Sequence, residues 1–170
     1  TRLVPPLKSH EAAALNVCFL RDMAANIKEI SDTKPASGLV VYTPPGSESA
    51  FAGVLPDEFK LLVQRGASLG ERLCNATDDL LKQGYSAVCL INSDSPTLPS
   101  RILIQAIELL ATDGDRVVLG AAEDGGYYLI GLKHAHRNLF NEIAWSTSEV
   151  LARTRQRAAE IDLPVELLPP

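Results

Sequence analysis

The apolar run Ala87-Val88-Cys89-Leu90-Ile91 is rich in strand-formers and ends abruptly in Asn92-Ser93-Asp94-Ser95-Pro96. A buried strand that delivers a carboxylate to its carboxyl end puts it where open α/β sheets bind their ligands. Pro96 stops the ladder and biases Ser95 toward an extended conformation. Asp94 is therefore a candidate site residue. It would serve equally well as a strand terminator or as the cap of a following helix, and the local pattern leaves both readings open. A second constellation lies 30 residues on, where Glu123-Asp124-Gly125-Gly126-Tyr127-Tyr128-Leu129-Ile130-Gly131 joins one strand to another. Its paired glycines permit backbone dihedrals and close approaches that side chains forbid, although Asp-Gly pairs also make ordinary tight turns. Parallel topology would bring the two strand-end acids, Asp94 and Asp124, to the same rim of a sheet. In a third segment, Trp145-Ser146-Thr147-Ser148-Glu149, the chain's single tryptophan precedes what reads as a capping box, and Trp145 is expected to staple the helix that follows.

The elements that must carry these residues follow from periodicity. From Glu11 to Ile30 apolar residues recur at helical spacing (Ala14, Leu15, Val17, Cys18, Leu20, Met23, Ile27) and predict a long amphipathic helix. Gly38–Tyr42 reads as a strand ended by Pro44-Pro45-Gly46, residues 44–54 as loop, and Pro56–Gln64 as helix. Ser68-Leu69-Gly70-Glu71 matches a capping box opening a helix to about Gln83. The central strand at 86–92 follows. Pro99 then sits at a first helical turn, Ile102–Leu110 are helical, and Asp113-Gly114-Asp115 turn the chain into the strand 117–120. The alternation of strands and helices predicts a three-layer, Rossmann-like α/β sandwich with a mainly parallel sheet.

Composition narrows the function classes. With 170 residues, 46% hydrophobic, 22% charged and a net charge of −5, the chain reads as one soluble globular domain. No apolar run approaches the roughly 20 residues of a membrane span, and the first residues lack the pattern of a signal peptide, so a cytoplasmic location is expected. An acidic chain without basic runs interleaved with aromatics is not expected to bind nucleic acid. The apolar surplus would tolerate a homodimer. Cys18, Cys74 and Cys89 lack CxxC spacing and read as reduced packing residues. His134 and His136 are close in sequence, but Lys133–Asn138 reads as an exposed loop, so these rings and His10 are expected to be structural or solvated.

Five ordered segments resemble one family across nearly all of the chain: Thr1-Arg2-Leu3, Gln64 with Leu69-Gly70-Glu71-Arg72, Ser93–Pro99, Asp124–Leu132 and Trp145-Ser146-Thr147. They look like a bacterial glycosyltransferase-like family, some members of which are associated with arsenosugar biosynthesis. The resemblance implies the GT-A, or nucleotide-diphospho-sugar transferase, fold. It also implies a nucleotide-sugar donor, a small-molecule acceptor, and Mg²⁺ or Mn²⁺ at the departing diphosphate. On this reading Asp94 is the metal ligand. Arg2, Gly70, Arg72, Ser93 and Asp94 bind the donor nucleotide; guanidinium groups offer paired donors to phosphate. Asp124 is the catalytic base or a second metal ligand, with Gly125, Gly126, Tyr127 and Trp145 toward the acceptor. Asn92-Ser93-Asp94 offers one acid where many GT-A enzymes have Asp-x-Asp. The family's first strand, its Gly- and Lys-bearing loop and its carboxyl-terminal acidic stretch fall outside the 170 residues, so the expected unit is a single GT-A-like domain lacking those ends. Two other functions fit the same residues: a nucleotidyltransferase that attacks a nucleoside triphosphate and releases pyrophosphate, and a non-catalytic nucleotide- or partner-binding protein.

Overall fold

A computed structural model describes residues 3–170. The chain divides into two compact units, one made of the residues up to Leu62 with Asn92–Ser100, the other of Val63–Ile91 with Arg101–Pro170.

The first unit is led by helix α1, Ser9–Ser31. The Glu11 carboxylate accepts the Lys8 backbone N–H at 2.7 Å, which satisfies one of the donors a helix start leaves unpaired. Its buried side is Ala12, Met23, Ala24 and Ile30, whereas Cys18 is exposed, so the packing role expected of that thiol is not what the helix gives it. Strands β1, Leu39–Tyr42, and β2, Lys60–Val63, form a two-stranded sheet. The helix expected over 56–64 is therefore a turn followed by a strand. A four-residue run such as Lys60-Leu61-Leu62-Val63 has no decisive period of its own, and pairing with β1 decides it. Within the stretch expected to be loop, Glu48–Phe51 forms a single 3-10 turn.

The second unit holds helix α2, Leu69–Lys82, strand β3, Val88–Ile91, helix α3, Ser100–Ala111, and strands β4, Val117–Ala121, and β5, Tyr127–Leu132. A 3-10 turn at Arg137–Phe140, helix α4, Val150–Ala159, and strand β6, Val165–Leu168, complete it. The sheet order is β3-β5-β4-β6. β5 runs antiparallel to both β3 and β4, and only β4 and β6 are parallel. The sheet is thus mixed rather than mainly parallel. The reason is local: only residues 122–126 separate β4 from β5, too few for the crossover that parallel neighbours need. Since β3 and β4 both oppose β5, they still point the same way, and Ile91 and Gly120 lie level on either side of Leu129.

Both faces of this sheet are covered. Val117, Leu119, Ile130 and Leu132 pack with Cys74 of α2, with Leu139 and Phe140, and with Ala158 of α4. On the other face Leu110 of α3 sits over Gly131 beside Val118. Val117, Val118, Leu119, Leu129 and Leu132 are completely buried, as expected of a strand pair shielded on two sides.

Candidate functional site

Asp94 stands on the turn that follows β3, in the first unit, with Ser93 beside it; both are exposed. Ser95 accepts the Leu98 N–H at 3.1 Å, closing the turn. Asn26 of α1 anchors the same segment: its amide donates to the Leu98 carbonyl at 2.8 Å and accepts from the Ser100 hydroxyl at 2.5 Å. Among the described residues no hydrogen bond or ion pair engages the Asp94 carboxylate. The carboxylate is thus an exposed oxygen donor on an anchored turn. The cap role that Asp94 also fitted is not what the turn uses it for, since α3 begins only at Ser100. Sequence reasoning missed Asn26, because a polar residue at an inner helical position gives no sign of its distant partners.

Asp124, Gly125 and Gly126 form the β4–β5 turn in the second unit. The Asp124 carboxylate accepts the Gly126 N–H at 3.0 Å, and Ala122 and Gly126 are joined by a 3.1 Å backbone bond. Gly125 has φ +83° and its carbonyl accepts the Leu151 N–H at 2.9 Å, tying the turn to the first turn of α4. A β carbon on Gly125 would overlap the Ser148 carbonyl. At the start of β5 the register shifts between Gly120 and Ala121, leaving Tyr128 unpaired with its ring across Gly120. Bulges of this kind are frequent beside active sites, where they re-aim side chains.

Gly70 and Tyr127 both lie against Trp145. The rings of Tyr127 and Trp145 meet edge to face with centroids 6.4 Å apart. A β carbon on Gly70 would lie 2.7 Å from the Phe140 carbonyl and 3.2 Å from the Trp145 Nε1, so glycine here lets α2 approach the tryptophan. Only one arm of the capping box expected at α2 is present: Ser68 Oγ accepts the Glu71 N–H at 3.2 Å, whereas the Glu71 carboxylate takes the N–H of Ala67 rather than that of Ser68. The box expected at Ser146–Glu149 does not form. Ser146 adopts φ +64°, Thr147 donates to the Ala144 carbonyl at 2.7 Å, and α4 starts only at Val150. Trp145 is accordingly a core-facing side chain packed against the main cluster rather than a staple.

Burial pushes the Tyr127 phenol well above its ordinary range, with the nearby Thr154 hydroxyl opposing this. Neither Tyr127 Oη nor Thr154 Oγ1 reaches a partner at hydrogen-bonding geometry among the described residues. Tyr127→Phe is therefore expected to leave the unfolding free energy unchanged or to raise it by up to about 1 kcal/mol, because a buried hydroxyl without a bond costs rather than stabilises. Urea denaturation of the two proteins checks this; a clear loss of stability would mean the hydroxyl is satisfied after all. Arg72 turns its Nε toward the Gly66 carbonyl at 3.1 Å, bracing the loop before α2. Arg2 lies outside the described residues.

A further group was not expected. Asp115 lies between two imidazoles, with Oδ1 3.1 Å from His134 Nδ1 and Oδ2 2.7 Å from His136 Nε2. Burial alone would push the Asp115 carboxyl up, but the hydrogen bonds and charge of the two histidines hold it below the usual carboxylate value. The signal was available only through pairing. The register that sets Val117 against Leu132, continued by two residues, puts Asp115 opposite His134.

The model of a family described as "Uncharacterized protein conserved in bacteria (DUF2064)" matches residues 26–147. The crystal structure of a "putative nucleotide-diphospho-sugar transferase" from Desulfovibrio desulfuricans G20 superposes with a TM-score of 0.80 at 29% sequence identity. That match covers 94% of this chain and 68% of the other. No curated protein sequence matches the chain. No helix among the described residues is long and apolar enough to cross a membrane.

Proposed function

This chain belongs to the DUF2064 family of bacterial proteins, and from that premise we propose that it transfers a sugar from a nucleotide-diphosphate donor to a small-molecule acceptor, using a divalent metal. The observation that carries the reading is the similarity, over 94% of the chain, to the "putative nucleotide-diphospho-sugar transferase" from Desulfovibrio desulfuricans G20. The exposed Asp94 carboxylate would hold the metal, with Ser93 and the Asn26-anchored turn fixing its orientation. Mg²⁺ or Mn²⁺ there would supply the positive charge that an acidic chain otherwise lacks for a leaving diphosphate.

The remaining work falls to side chains and backbone. Arg72, and Arg2 with it, would add guanidinium donors for the diphosphate, and Gly70 would let the donor-side wall approach closely. Asp124 would take the proton from the acceptor hydroxyl. Gly125 and Gly126 would leave room for the sugar, with the Tyr127 and Trp145 rings as the wall behind.

The test is a thermal-shift series with nucleotide-sugars, nucleoside diphosphates and nucleoside triphosphates, each with and without Mn²⁺. A ligand at about 100 times its Kd stabilises the native state by about 2.7 kcal/mol, which for a chain of this size raises Tm by roughly 5–10 °C. Stabilisation by one class of nucleotide-sugar that depends on Mn²⁺ is expected, and Asp94→Asn should remove the Mn²⁺-dependent part. A preference for triphosphates would replace the transferase with a nucleotidyltransferase. An unchanged response in Asp94→Asn would dismiss the metal role.

A further inference from the structure

We propose that Asp115, His134 and His136 form a binding site for a divalent transition-metal ion, Zn²⁺ above all, at the edge of the sheet opposite the Asp124 turn. Each of the three residues offers one ligand atom, and these atoms all lie within 4.8 Å of one another. Two ligands at Zn²⁺ bond lengths of about 2.0–2.2 Å and a tetrahedral angle stand roughly 3.4 Å apart. The carboxylate–imidazole separations, 3.1 Å at Oδ1 and 2.7 Å at Oδ2, are within an ångström of that, and all three ligand separations are at most 4.8 Å. Two imidazoles and one carboxylate are a donor set for Zn²⁺, Co²⁺ or Ni²⁺ rather than for Mg²⁺ or Ca²⁺, which favour oxygen alone.

The surroundings are built to hold the three residues in place. The Arg116 N–H donates to Asp115 Oδ1 at 2.9 Å, fixing the carboxylate's plane. Lys133 Nζ donates to the Thr112 and Gly114 carbonyls, both at 2.8 Å, clamping the turn that carries Asp115 against the strand end that carries His134. The backbone bond from His136 N–H to the His134 carbonyl, 3.0 Å long, sets the spacing of the two rings. His134 is exposed and His136 half-buried, so the ion would reach the group from solvent and keep at least one position for water. Binding requires both rings neutral, each with its proton on the nitrogen turned away from the ion.

This site is separate from the proposed sugar-transfer residues. Asp115 precedes β4 and Asp124 follows it, and five strand residues at about 3.3 Å each put roughly 15–20 Å between the two ends. Its failure and the failure of the transferase reading are therefore independent.

Isothermal titration of the chelator-treated protein with ZnCl₂ alone, without nucleotide, tests the proposal. One equivalent should bind. His134→Ala should weaken binding by roughly tenfold or more, since even outer-shell partners of metal ligands are worth about 10–100-fold, and Asp115→Asn should do the same. Asp124→Asn should bind like the parent. His134 is exposed, so its loss should leave the metal-free melting temperature unchanged and remove only the Zn²⁺-induced rise. Co²⁺ should give ligand-field bands without a thiolate charge-transfer band. Absence of Zn²⁺ binding, equal binding by the His134→Ala and Asp115→Asn proteins, or a thiolate band from Cys18 would each overturn the site.

Discussion

Gly125→Ala should cost about 2–5 kcal/mol of folding stability. The left-handed conformation at φ +83° costs a residue with a β carbon about 1–2 kcal/mol. Overlap with the Ser148 carbonyl adds an overpacking cost of about 1–3 kcal/mol. The clash is with the Ser148 backbone rather than a flexible side chain, and the turn cannot swing away freely because the Gly125 carbonyl holds the Leu151 N–H of α4. Against the 5–15 kcal/mol that a domain usually has in hand, this is a large fraction. Thermal melting should show a fall on the order of 10 °C. Gly126→Ala is the contrast: its β carbon would meet only the Asp124 carboxylate oxygen at 3.1 Å, and its φ is not positive. If both variants melted alike, the turn would be free to move away from Ser148.

The second large effect is on turnover rather than stability. Asp124→Asn should lower the rate of sugar transfer by about 10²–10⁴-fold, the usual contribution of a positioned general base. The substitution is well chosen because the Asp124 carboxylate also accepts the Gly126 N–H at 3.0 Å, and an asparagine oxygen can accept the same bond. The fold of the turn should survive while the proton acceptor is lost. Release of nucleoside diphosphate from the donor identified by thermal shift, measured in the presence of acceptor, reads this directly. Full turnover in the variant would remove Asp124 from the chemistry.

Much of the chain's local structure was legible in its residues, and the reason is that local signals were self-sufficient there. Ser68 and Glu71 bracket the start of α2 with their own side chains, and the 3.6-residue recurrence from Glu11 to Ile30 needs no tertiary partner to be read. The misread stretches are those where the decision is made at a distance. Lys60–Val63 is a strand because β1 lies beside it, and Ser146–Glu149 does not cap because Ser146 adopts φ +64°, beside a Trp145 that packs against the core cluster. Strand direction was lost for the same reason: alternating elements suggested crossovers, whereas the five residues between β4 and β5 permit only reversal.

The candidate site was legible in its acids and glycines but not in its supports. Asp94, Asp124, Gly125 and Gly126 announce themselves by type and by neighbours. Asn26 holds the Asp94 turn from 68 residues away in sequence, and no periodicity encodes that. The Asp115, His134 and His136 group stayed hidden because, although its rings do lie in a loop, nothing in the sequence shows which segment lies opposite them. Only the antiparallel register aligns them.

That register also limits how chains built on this plan can vary in length. A single residue inserted into β4 or β5 would turn every later side chain of that strand to the other face. It would carry Asp115 away from His134 at one end, or displace the Gly120 and Tyr128 stacking at the other. Viable changes in length along this hairpin should therefore come as pairs of residues, be absorbed as a bulge like the one at Tyr128, or be confined to the five positions of its turn, where Gly125 again restricts them.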